Sequence, residues 1–89
     1  MKAVMEVPIK MQQGGPRTAP YLEVDLPFAP YLGMPVWHRA WKNSRKVTGV
    51  TLDLNDEPFL IINLDPEEAS DAKEQEQLLQ QYKGHGWTV

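Results

Sequence analysis

Twelve consecutive residues, PVWHRAWKNSRK from Pro35 to Lys46, gather Trp37, Arg39, Trp41, Lys42, Arg45 and Lys46. Guanidinium and ammonium groups neutralise phosphates, and an indole face stacks on an unpaired base. The grouping therefore has the makings of a single-stranded nucleic-acid site. The plain alternative is that both tryptophans belong to the core and the cations form a solvated strand edge, where Lys and Arg discourage aggregation.

The chain is otherwise acidic, with a formal net charge of -3 and nine of its twelve carboxylates between Asp53 and Glu76. This bipolarity bears on what the surface touches rather than on what it catalyses. The acids offer a second candidate surface. On a helix of about 100° per residue, Glu67, Asp71 and Glu74 fall on one stripe, and no Lys or Arg stands four residues on to neutralise them. Such a stripe would dock a basic partner protein, mimic nucleic-acid charge, or meet the basic segment of a second copy in a homodimer. The helix macrodipole by itself accounts for Glu67 and Glu68 near the helix start, and hardly for Glu74 and Glu76.

Other chemistry finds little support. His38 and His85 are far apart and lack ligand spacing, so no metal site is expected. Cysteine is absent, which removes disulfides and thiolate catalysis. There is no G-x-S-x-G and no phosphate-binding loop, and Gly14-Gly15 precedes a proline rather than a helix. Twelve acids in 89 residues guarantee carboxylate pairs by chance, and a chain this short has little room for a deep pocket. The expectation is a protein that is not an enzyme and takes no cofactor.

The elements that must position these residues can be read from periodicity. Eighty-nine residues with 42% apolar content predict a single folded domain with one modest core. Ala3, Met5, Val7, Ile9 and Met11 alternate against Lys2, Glu6 and Lys10, which predicts a strand over 2–11, placed at a sheet edge because Pro8 lacks an N–H. That edge is a second place for two copies to pair. QQGGPRTAP (12–20) reads as a long turn and 21–27 as a second strand. The prolines of 27–35 forbid a helix and make an extended connection, with Tyr31, Leu32 and Met34 tucked beneath it. Trp37 and Trp41, four apart, share a face in a helix and also in a strand; a strand over 36–42 is preferred.

Strands over 46–54 and 58–64 form a hairpin through NDEP. The apolar run Phe59 to Ile62 makes the second of them central, covered by the following helix. Asp65, Pro66 and Glu68 read as a helix start, giving a helix over 66–83 that stops at Gly84. Trp87 and Val89 add a short strand or a plug. The expected architecture is α+β, a four- to five-stranded mainly antiparallel sheet with one C-terminal helix packed on one face.

With no membrane-length apolar run and no signal-peptide core, a soluble cytoplasmic protein is the default. The expected function is a small protein-binding module, an adaptor or inhibitor of the kind phages and mobile elements encode. It would dock through a strand edge, the aromatic segment or the acidic helix. Single-stranded nucleic-acid binding by Trp37 to Lys46 is the alternative.

Overall fold

A computed structural model describes residues 1–15, 17–55 and 57–89; Pro16 and Asp56, each within a turn read from the sequence, lie outside the described residues. The chain runs β1 (Lys2–Glu6), β2 (Ile9–Met11), β3 (Tyr21–Asp25), β4 (Pro35–Val36), β5 (Arg45–Asp53), β6 (Phe59–Leu64), β7 (Glu67–Ala69) and α1 (Ala72–Gly84). The class is α+β. A five-stranded sheet has the order β3-β1-β6-β5-β4, and β2 pairs with β7 in a second, two-stranded sheet.

The large sheet is mixed rather than mainly antiparallel, because β1 and β6 run parallel with Ala3 opposite Leu60 and Met5 opposite Ile62. β1 is therefore an interior strand, with β3 antiparallel on its other side, and not the edge that Pro8 suggested. A proline without an N–H can be accommodated by interrupting the ladder as well as by an edge position. Here Pro8 stands between β1 and β2, and Pro66 between β6 and β7. The two parallel strands turn a corner together and pair again with Ile9 opposite Glu67. The Pro8 carbonyl accepts the Glu67 N–H at 2.8 Å, which holds the corner.

That corner also shortens the helix. Residues 67–69 are strand, since the Ala69 carbonyl accepts the Gln12 N–H at 3.0 Å. Asp71 takes the cap expected of Asp65, accepting the Glu74 N–H at 2.8 Å, while the Glu74 carboxylate accepts the Ser70 N–H at 3.2 Å. The Asp71/Glu74 pair satisfies donors at the helix start while leaving 67–69 to the sheet. At the other end it is Gly86, with φ 90°, that takes the left-handed conformation, and its N–H bonds to the Lys83 carbonyl at 3.1 Å.

α1 packs on β2 and β7 rather than over β6. Leu60, Ile62 and Leu64 are buried all the same, joined by Ala3, Met5, Val7, Val47, Trp41, Tyr82 and Trp87 in one core. Trp87 plugs the core, and Thr88 exchanges two hydrogen bonds with Tyr21 of β3 at 2.9 and 2.8 Å. Among the described residues no helix is long and apolar enough to cross a membrane.

Candidate functional site

The segment after β4 is a turn, not the strand expected over 36–42. The Trp41 N–H donates to the His38 carbonyl at 2.9 Å, and the Ala40 N–H donates to His38 Nδ1 at 3.0 Å. A turn removes the period that would have kept Trp37 and Trp41 on one face. Trp41 is 7% exposed and Trp37 66%.

Trp41 belongs to an aromatic lock. Its Nε1–H donates to the Tyr82 hydroxyl at 2.8 Å, and its ring lies 5.8 Å from that of Trp87. The Arg45 guanidinium stands 5.4 Å from the Trp41 ring centre, donates to the carbonyls of Asp65 and Pro66 at 3.1 and 3.3 Å, and pairs with the Glu67 carboxylate. Burial, with the Glu67 carboxylate close by, pushes the Tyr82 phenol up to about 12. Two of the six residues of the basic aromatic segment are thus structural. Trp37, Arg39, Lys42 and Lys46 remain exposed. A cleft of about 400 Å³ beside them is lined by Lys42 and Arg45 but also by Asp65 and Glu67, so it carries both signs of charge and is not a phosphate cradle.

The acidic stripe is not formed. Glu67 lies on β7 and is spent on Arg45, Asp71 is the helix cap, and Glu74 closes the capping box onto Ser70. The helical wheel failed because its first member is not on the helix.

The two histidines meet in space, with ring centres 6.4 Å apart and edge to face. Among the described residues no group of three or more His, Asp or Glu side chains could hold a metal ion. His38 accepts at Nδ1, so its neutral form carries the proton on Nε2. Burial, then the Arg39 cation and His85, hold the His38 imidazole below its ordinary 6.5; its other ring neighbours are Trp41 and Trp87. A depressed native value means that the unfolded chain takes up the proton first. The stability His38 contributes is whole above about pH 6.5 and is lost as pH falls through the lower native value. Urea midpoints should therefore drop between about pH 7.5 and 5.5, and His38→Gln should lack that part of the drop. An unchanged pH profile in the variant would remove His38 as the cause.

The exposed surface with most apolar character lies elsewhere. Leu26, Met34 and Val36 pack against the core and hold the proline-rich segment 27–36 across the sheet as a strap. Met34 tucks under it as expected, whereas Tyr31 and Leu32 stand out in solvent, as do Phe28 and Trp37. The Met34 N–H donates to the Tyr31 carbonyl at 3.1 Å, and Gly33 at φ 85° makes the tight turn that throws Tyr31 and Leu32 outward. Between strap and sheet is a cleft of about 270 Å³ with Met5 and Ile62 at its floor and Phe28, Pro30, Met34 and Trp37 among its walls. Val50 and Leu52, opposite Ile62 and Leu60 in register, continue this apolar face into solvent. Sequence reading singled out Trp37 but missed Phe28, Tyr31 and Leu32. The available signal was the proline spacing, which keeps residues 27–32 of the strap out of any strand and leaves Phe28, Tyr31 and Leu32 without cover. Compared with protein-family models, curated proteins and solved structures, the chain matches none of them, and the reading of this surface rests on its geometry.

Proposed function

We propose that the protein is a non-catalytic protein-binding module, an adaptor or inhibitor, that docks its partner on the Phe28–Trp37 strap. The observation that carries this reading is Trp37, 66% exposed at the wall of an apolar cleft. Indoles are strongly enriched among the anchors of protein interfaces, and an apolar cleft beside one accepts a side chain from the other partner. Phe28, Tyr31 and Leu32 extend the patch beyond the single exposed residues that need no explanation. Arg39 is exposed two residues beyond Trp37, and Arg is the charged side chain enriched at interfaces. The apolar cleft favours a protein over a nucleic acid, because Trp41 and Arg45 are withdrawn from the basic segment and the neighbouring polar cleft is charge-balanced.

The test is capture from source-cell lysate, with and without nuclease, on the wild type, Trp37→Ala and Lys42→Glu. A protein retained after nuclease by the wild type and by Lys42→Glu is expected. Trp37→Ala should weaken its binding by about 2 kcal/mol, roughly thirtyfold. Capture that vanishes with nuclease, and with Lys42→Glu, would instead assign the surface to single-stranded nucleic acid.

A further inference from the structure

β4 pairs with β5 only at Arg45 and Lys46, and Gly33 and Met34 extend that contact no further than Val47. From Gly49 to Asp53, β5 is paired with β6 on one side and with no described strand on the other. The bulge between Val47 and Gly49 separates this stretch from the paired one. Val50, Leu52 and Leu54 are all exposed here. Edge strands ordinarily carry lysine, proline or an inward charge against unwanted pairing, yet the sequence TGVTLDL from Thr48 to Leu54 has no proline, no lysine and a single charge.

We propose that a second copy of this chain occupies the edge, β5 against β5 in antiparallel pairing about a two-fold axis near Val50 and Thr51. Charge is what selects this occupant. Lys46 stands at one end of the strand, with Lys42 and Arg39 in the loop that feeds it, and Asp53 stands at the other; Glu57 beyond it is turned to β1, where it pairs with Lys2. An antiparallel two-fold sets the basic end of each copy against the acidic end of its mate, whereas a parallel pairing sets like against like. The same operation brings Val50 and Leu52 beside their counterparts on one face, where each shields part of the other's apolar side chain from water. Two five-stranded sheets become one continuous sheet. Val36 is opposite Arg45, so Trp37 lies outside the paired stretch and each copy keeps its cleft. The homodimer expected from the sequence is thereby moved from the N-terminal strand, which is interior, to β5.

Sedimentation equilibrium and light scattering on the full chain, from roughly 10 to 300 µM, should approach twice 10.2 kDa. Leu52, 57% exposed, can be changed without touching the core. Leu52→Lys should therefore return the protein to monomer and weaken association at least about tenfold while leaving thermal melting at low concentration unchanged. The chain has no cysteine, so single introduced thiols report geometry directly. Thr51→Cys, next to the axis, should form a disulfide-linked dimer under mild oxidation, and Lys46→Cys should not. A monomer at every concentration overturns the proposal. So does a dimer indifferent to Leu52→Lys, and so does crosslinking at both positions, which would mean parallel strands. None of these readouts needs the partner of the strap, so failure here leaves the docking reading untouched.

Discussion

Trp41→Ala is expected to lower unfolding free energy by about 3–5 kcal/mol, and Trp37→Ala to lower it by less than about 0.5. The same substitution four residues apart differs so widely because the turn at His38–Trp41 sends one indole into the core and the other into water. Removing the Trp41 ring opens a cavity against Trp87, whose ring centre is 5.8 Å away, and takes the Nε1–H from the Tyr82 hydroxyl. It also removes the ring beneath the Arg45 guanidinium. In a chain of this length about 1 kcal/mol moves the melting temperature by about 4–8 °C, so Trp41→Ala should be largely unfolded at a temperature where Trp37→Ala is native. Urea unfolding followed by circular dichroism decides the matter. Equal and small effects would mean that Trp41 is not docked on Tyr82.

Glu67→Ala is expected to cost about 2–3 kcal/mol, and most of that should return in the Glu67→Met/Arg45→Met double variant. Side-chain exposures of 17% for Arg45 and 21% for Glu67 place the pair under the β6–β7 corner rather than on an open surface. Taking away one partner leaves a charge out of water with too little to bind, whereas replacing both by apolar side chains of similar size removes the desolvation penalty along with the attraction. Residual exposure leaves each charge some contact with water, which is why the figure is set below the about 3–5 kcal/mol of fully buried pairs. A double-mutant cycle measures the coupling, and repeating it in high salt should change little, because a shielded pair is weakly screened. A coupling near zero, or one that salt abolishes, would make this an ordinary surface pair and return Glu67 to the list of available acids.

Both expectations turn on residues whose type was readable and whose placement was not. The alternation of Ala3, Met5, Val7 and Ile9 specified a buried side for the first segment correctly, since all four are core. It said nothing about the neighbours of that strand, and Pro8 pointed to an edge because a local rule knows only that an N–H is missing. Pro8 instead stands in a corner that the parallel neighbour also makes, at Pro66, and pairing resumes with Ile9 opposite Glu67, residues 58 apart in sequence, which local chemistry cannot foresee. Likewise Asp65-Pro66-Glu67-Glu68 satisfied every local criterion of a helix start. The strand β7 won because β2 needed a partner and Arg45 needed a carboxylate. The stripe Glu67, Asp71, Glu74 fell with that choice.

The α+β class, the inward side of β1, β3 and β6, and the C-terminal helix followed from the sequence by itself, because periodicity and residue chemistry are properties of short windows. The tertiary structure alone decided that Trp41 and Arg45 serve the fold while Trp37 stands free. It alone decided that Tyr31 and Leu32 face water, and that β5 rather than the first strand presents an open edge. Exposure depends on which distant segments arrive to cover a residue, and for the strap and the end of β5 none of the described segments does.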